Sequence, residues 1–286
     1  MKRSYCKVIA AGVYTTIQDQ GRLGWRHRGV PLSGPMDVES FDRANSLLGN
    51  QVGAASLEIT LMGPTLLFND PCWVVLSGAT IAFSKNNEAQ MADTPVFFDL
   101  GDVLRLGKME KGARAYLAFM GGLQGPQYLD SRAHFYPISP QGQLIKGEIL
   151  EFLPHHEKET LPSRSKLPPL QSLVSDTHLE VVPGIDWAVC PNEVREALKT
   201  QTFEIGSNNR MGYRLQGSLP KTTIHTMSGL VEPGTVQLTP GGNLLIAMQD
   251  GQVTGGYVRI LRLEESARNF LAQQRTGKQL RLQLML

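Results

Sequence analysis

Cysteine is scarce in this 286-residue chain: only Cys6, Cys72 and Cys190 occur, and none stands in a C-x-x-C spacing. An odd, scattered set cannot form a fully paired disulfide framework, which excludes the small disulfide-stapled scaffolds and fits a reducing, cytoplasmic setting. Long apolar runs are missing too, since no segment approaches the roughly 20 apolar residues that span a bilayer. The charged start Met1-Lys2-Arg3 leads into an apolar run, Val8 to Val13, that is too short for a secretory leader and is followed by Gln18 and Asp19. Charge of one sign is also lacking. The net charge of +2 comes from interspersed signs with no long basic run, which argues against nucleic acid or an anionic membrane surface as a partner.

Several catalytic motifs are absent. There is no G-x-x-x-x-G-K-[ST] phosphate loop and no G-x-S-x-G elbow of a serine hydrolase. The histidines, His27, His134, His155, His156, His178 and His225, fall in no H-E-x-x-H pattern, and no His, Cys or carboxylate spacing resembles a metal site. The chain is therefore not expected to hold a metal or to use ATP alone.

At 41% apolar residues the chain can bury a substantial core, and its length suits one large domain or two small ones. Short apolar or β-branched runs closed by Gly, Pro, Asn or Asp predict strands at Leu57–Thr60, Trp73–Leu76, Ile81–Phe83, Val96–Phe98, Val103–Leu106 and Ala115–Phe119. Such spacing points to a barrel or sandwich. A helix is predicted over Val38–Leu48, with Asp37 as N-cap and Gly49 as its stop. Residues 155–177 are rich in Glu, Lys, Ser and Pro and read as a linker between a domain over 1–160 and another over 178–286. Beyond it, helices are predicted from Asn192 to Leu198 and Glu264 to Gln274, and strands at Leu179–Gly184, Thr235–Leu238, Leu244–Ala247 and Leu280–Leu282. The restart at Leu179–Gly184 faintly echoes Cys6–Gly12, as a duplicated unit would.

Three polar, glycine-rich clusters stand out. The first runs from Thr15 to Asp37 and packs Gln18, Asp19, Arg22 and Ser33 among glycines and prolines that let the backbone approach a ligand. The second, Ser207–Leu215, sets Arg210 and Arg214 four residues apart with Tyr213 between them, and guanidinium groups grip carboxylate or phosphate bidentately. The third is Asp250–Tyr257. Its Gly255-Gly256 pair frees backbone amides, Gln252 and Thr254 would point the same way, and Tyr257 could lie over a planar ligand. Taken singly these residues have plainer readings. Arg210 or Arg214 would pair with a surface acid, Gly255-Gly256 would be a hairpin turn, Asn45 would satisfy its own helix end, and Glu58 would sit on the wet face of a strand. Taken together, the clusters point to one shared site.

The runs Thr16-Ile17-Gln18-Asp19-x-Gly21-Arg22-x-Gly24, Gly29-Val30-Pro31-x-Ser33-Gly34-x-Met36-Asp37, Ala44-Asn45 with Gly49-Asn50, and Leu57-Glu58 resemble the biotin-dependent carboxyltransferase-like family. The likeness continues through Ser207-x-Asn209-Arg210-Met211-Gly212-Tyr213-Arg214-Leu215-x-Gly217 and Gln252-x-Thr254-Gly255-Gly256-Tyr257, so it covers nearly the whole chain. Departures are Pro35, where alanine is common, Val253 for a usual threonine, Val258 for a usual proline, and Asp130–His134, which matches the family's Gly-Ser-Arg-Ser pattern only in part.

The resemblance implies a mainly β fold of two cyclophilin-like β-barrel domains with a few short helices. It also implies an ATP-dependent opening of 5-oxo-L-proline to L-glutamate within a multi-subunit 5-oxoprolinase. ATP would then be bound with or by partner subunits: a homologous companion of the B type and a lactam-utilisation subunit of the A type. In that setting Asp19, Asp37 and Arg22 are the catalytic candidates. Ser33, Asn45, Glu58, Arg210, Tyr213, Arg214, Gln252, Thr254, Gly255, Gly256 and Tyr257 are candidates for binding substrate or phosphate. The site would be shared between chains, with an exposed face around Asp19 to Asp37 and Arg210 to Tyr213 buried against the companion. Two alternatives remain open. One is transfer of a carboxyl group from carboxybiotin to a small amide such as urea, with biotin carried elsewhere, because Ala247-Met248-Gln249 has Gln where a biotinyl lysine would stand. The other is a non-catalytic regulator that binds a kinase-inhibitor-like protein.

Overall fold

The computed structural model describes residues 3–155, 168–173, 177–224 and 226–285. Most of the expected linker over 155–177, together with His156 and His225, lies outside the described residues. The chain divides into two compact units, one formed by Met1–Leu23 with Ser33–Leu173 and the other by Gly24–Leu32 with Val174–Leu286. Among the described residues no helix is long and apolar enough to cross a membrane, and no group of three or more His, Cys, Asp or Glu could hold a metal ion.

In chain order the first unit comprises β1 (Ser4–Ala10), β2 (Tyr14–Gln18), α1 (Val38–Leu47), β3 (Ser56–Thr60), β4 (Thr65–Phe68), β5 (Cys72–Lys85), β6 (Glu88–Ala89), β7 (Val96–Phe98), β8 (Val103–Phe119) and β9 (Ile149–Phe152). These strands form a nine-stranded sheet curled into half a barrel. Four of the predicted strands are two: Trp73–Leu76 and Ile81–Phe83 both belong to β5, and Val103–Leu106 and Ala115–Phe119 both belong to β8. Bulges between Gly78 and Phe83 absorb the mismatch that would otherwise end the pairing of β5 with β8. Gly78 has φ +100°, and a Cβ there would lie 2.8 Å from the Arg114 carbonyl, so the position requires glycine.

Both faces of β8 are covered near its end, which explains why Ala113–Phe119 is buried without alternation. Leu117 and Phe119 face the main core, where Phe68 stacks on Phe98 with ring centroids 4.6 Å apart. Tyr116 and Ala118 face Phe41, Ala44 and Leu47 of α1. The helix is the one the sequence predicts: Asp37 caps it, and Gly49 with φ +69° follows its last turn.

The second unit comprises β10 (His178–Pro183), α2 (Asn192–Thr200), β11 (Thr202–Asn208), β12 (Gly212–Gln216), β13 (Gly229–Leu230), β14 (Thr235–Leu238), β15 (Leu244–Ala247), β16 (Thr254–Gly255), β17 (Val258–Arg262), α3 (Glu265–Ala272) and β18 (Gln279–Leu284). Seven strands close a barrel in the order β10-β17-β14-β15-β12-β11-β18, sealed by the parallel pair β10 and β18. Strand alternation sorts its faces. The rung Tyr213, Ile246, Val236, Leu261 is buried, whereas the next, Arg214, Leu245, Gln237, Arg259, carries the polar side chains of the opposite face. The mainly β, barrel-based fold class expected from the sequence holds.

Candidate functional site

Polar residues of the first unit gather on the α1 side of β3 and β8. Glu58 stands directly opposite Tyr116, whose hydroxyl donates to Glu58 Oε2 at 2.7 Å. The same oxygen accepts from the Met36 N–H at 2.8 Å, and Oε1 lies 3.8 Å from Arg114 Nε. The Tyr116 hydroxyl also accepts from the Asp37 N–H at 2.8 Å. Burial, reinforced by the negative charges of Glu58 and Asp37, pushes the Tyr116 phenol well above its usual range, so it stays a neutral donor. Asp37 Oδ1 accepts from the Ser40 N–H at 3.1 Å and Oδ2 from the Ser40 hydroxyl at 2.7 Å. Arg22 donates through Nη1 to Ser33 Oγ at 2.9 Å and through Nη2 to the Ala133 carbonyl.

Asp19 has a similar setting. Its Oδ1 accepts from the Gly21 N–H at 2.9 Å and the Ser131 hydroxyl at 2.6 Å, and its Oδ2 accepts from the Arg132 N–H at 2.6 Å. It thus clamps two chain segments far apart in sequence. Asp19, Arg22, Ser33 and Asp37 are all buried within the unit and hydrogen-bonded there, so the expected exposed face is corrected at these four residues, whereas Leu23, Gly24, His27, Arg28 and Gly29 between them are exposed. Glu58 is likewise buried rather than on a wet face. Asn45 satisfies its helix end as one plain reading had it, donating to the Phe41 and Ala54 carbonyls at 3.3 and 3.1 Å.

The second and third clusters meet in the second unit. Asn209 Oδ1 accepts from the Met211 and Gly212 N–H groups at 2.8 and 3.2 Å, turning the chain from β11 into β12. Asp250 then donates its N–H to the Arg210 carbonyl at 2.8 Å, and Met248 its N–H to the Met211 carbonyl at 3.0 Å. These bonds stitch the segment before Gln252 to the β11–β12 turn. Arg210 itself closes the join, with Nε 2.7 Å from Asp250 Oδ2 and Nη2 3.1 Å from Oδ1. Both side chains are buried, so Arg210 does not pair with a surface acid. Tyr213 is 1% exposed, and its hydroxyl donates to the Ala272 carbonyl at 3.5 Å. Gly255 is no hairpin turn but a strand residue of β16, paired with Gly229 of β13.

A cleft of about 340 Å³ lies against this join, lined by Asn209, Arg214, Gln237, Gln252 and Tyr257, with Met211, Leu245 and Ile246 as its apolar wall. Arg214, Gln252 and Tyr257 are exposed, and none of their side chains has a hydrogen-bond or ion-pair partner among the described residues. A cation, a carboxamide and a phenol left open around a small apolar-backed cleft suit a small molecule bearing a carboxylate and a planar polar group. Thr254, Gly255 and Gly256 are not among its lining residues.

Sequence reasoning missed Gln237, which reads only as a strand residue, and Tyr116, hidden in an apolar run. It also passed over Arg132. The sole signal for Arg132 was its place in the partly matched Asp130–His134 segment; its guanidinium is half-buried and has no partner among the described residues.

The carboxyltransferase domain family, subdomains A and B, matches residues 28–284, and the chain belongs to this family. It is similar to the 5-oxoprolinase C subunit of Escherichia coli, with 32% identity over 95% of this chain and 88% of the relative. It is also similar to urea amidolyase of Lachancea kluyveri, with 32% identity over 88% of this chain, but it spans only 15% of that protein. Among solved structures, the urea amidolyase of Kluyveromyces lactis superimposes with a TM-score of 0.86 at 30% identity, covering 99% of this chain and 19% of the other.

Proposed function

We propose that this chain is the C subunit of an ATP-dependent 5-oxoprolinase, which opens 5-oxo-L-proline to L-glutamate in a cytoplasmic multi-subunit complex. The observation that carries this reading is the matched extent. The likeness to the Escherichia coli 5-oxoprolinase component runs over 88% of that protein, against 15% for a urea amidolyase. A lactam carbonyl is a poor electrophile, and transfer of the γ-phosphoryl of ATP to its oxygen, with ADP leaving, opens the ring carbon to water. Water adds, the C–N bond breaks with the nitrogen taking a proton, and hydrolysis of the resulting acyl phosphate leaves L-glutamate and phosphate.

In this reading Arg214 takes the substrate carboxylate, while Gln252 and Tyr257 position the ring. Thr254, Gly255 and Gly256 shape the strand beside them, and Arg210 and Tyr213 hold the framework. Asp19, Asp37 and Arg22, expected from the sequence to be catalytic, belong with Ser33, Asn45 and Glu58 to the first unit, whose loops and α1 they hold. ATP is bound with or by a companion of the B type and a lactam-utilisation subunit of the A type, so the chain is inactive alone. The test is 5-oxoproline-dependent ATP hydrolysis by the reconstituted complex with and without this chain; full activity in its absence would defeat the reading.

A second reading is supported by the carboxyltransferase domain match and the urea amidolyase fold. There the same cleft receives a carboxyl group from carboxybiotin held by another chain and passes it to a small amide such as urea. Consumption of carboxybiotin by the assembled complex, which lactam opening does not need, separates the two.

A further inference from the structure

Gln237 is 3% exposed and lies on the rung of Arg214 and Leu245, three neighbouring strands presenting these residues on the same face. Its Nε2 is buried and has no hydrogen-bond partner among the described residues. Buried carboxamides are nearly always paired, so the unpaired amide nitrogen of a residue that lines the cleft is a donor in want of an acceptor. Gly255 of β16 stands against this nitrogen. A Cβ on Gly255 would lie 2.8 Å from Gln237 Nε2 and equally 2.8 Å from Gln252 Nε2. The bare glycine is what lets two amide nitrogens approach the same spot. Arg259, on the next strand of the rung, donates to the Leu230 carbonyl at 3.2 Å and so ties down the partner strand of β16.

We propose that Gln237 donates to the carbonyl oxygen of a small cyclic amide whose carboxylate is held by Arg214, and that Gly255 is required because any side chain there displaces this donor. The proposal rests on the reading of this cleft as the substrate site. A neutral donor beside a guanidinium selects a ligand carrying both a carboxylate and an amide carbonyl, as 5-oxo-L-proline does, and a ligand lacking either forfeits one of the two contacts.

The experiment is calorimetric titration of the full chain, alone and reconstituted with its B-type companion. Three probes are used: 5-oxo-L-proline, cyclopentanecarboxylate, which lacks the lactam, and 2-pyrrolidinone, which lacks the carboxylate. Gln237→Met should weaken 5-oxo-L-proline and 2-pyrrolidinone about tenfold and leave cyclopentanecarboxylate unchanged. The ligand-free Tm should stay the same or rise, because the Gln237 side chain has no hydrogen bond to lose among the described residues. Gly255→Ala, which keeps the amide but crowds it, should give the same selectivity. Equal weakening of all three probes, or a lower ligand-free Tm with no selective loss, overturns the role of Gln237 while leaving the substrate site standing. If wild-type chain and complex bind no 5-oxo-L-proline while the complex still turns it over, the site reading falls and the proposal with it.

Discussion

Arg210 and Asp250 form a two-point ion pair, with Nε and Nη2 reaching the two carboxylate oxygens at 2.7 and 3.1 Å, wholly inside the second unit. Two guanidinium groups four residues apart in sequence therefore have opposite duties. Arg210 holds the loops that build the cleft, and Arg214 stands open in it. Arg210→Ala leaves a buried carboxylate uncompensated and should cost about 3–5 kcal/mol of stability in urea unfolding. Arg214→Ala should change stability by less than about 0.5 kcal/mol, as an exposed side chain without partners among the described residues does.

Asp19 should prove a clamp. Asp19→Ala strands the Ser131 hydroxyl and the Arg132 and Gly21 N–H groups, at a cost of about 1–3 kcal/mol for each donor that finds no water. Hydrogen exchange should quicken at 131–134 before it quickens in the strands of the first unit. Unchanged exchange there would show that the segment needs no clamp.

How much of this was legible beforehand depended on whether the signal was local. α1 carries its own instructions in Asp37, its apolar face and Gly49, and it forms where expected. The polar clusters were visible as composition. Their fates were not, because inward or outward orientation is decided by pairing. Glu58 is buried because its cross-strand neighbour is Tyr116, some sixty residues on, and no local pattern announces that register. Gly78 and the later β5 bulges mimic strand ends, so β5 and β8 read as four short strands. Gln237 looked like an ordinary strand residue because only the fold brings Gly255 over it.

The first unit should also be alkali-sensitive. The Tyr116 phenol is held well above its ordinary value by burial and the neighbouring carboxylates. A raised phenol contributes stability fully below the unfolded value of about 10, and that contribution is lost as pH rises from there toward the folded value. Ultraviolet titration should find a tyrosine that ionises only as the unit unfolds, and Tyr116→Phe should flatten the alkaline limb. A Tyr116 that titrates freely in the folded protein would contradict this.

Acid should loosen the other unit at Asp186. Burial alone would raise this carboxyl, but hydrogen bonds from the Arg259 side chain and backbone, together with its charge, outweigh burial and hold it below the ordinary range. Its contribution is present above the unfolded value of about 3.9 and is lost as pH falls through the lower folded value. Because Arg259 also ties down Leu230, protection of the β13–β16 pair should fall below about pH 4, and Asp186→Asn should remove that dependence.

If the open cleft of the second barrel serves lactam opening in a complex, turnover depends on Arg214. The measurement closest to it is L-glutamate formation from 5-oxo-L-proline and ATP by the reconstituted complex carrying Arg214→Met. The expected result is that kcat/KM falls at least tenfold while the Tm and subunit assembly match wild type, because the Arg214 side chain has no partner to lose among the described residues. Wild-type turnover by that variant complex would contradict it.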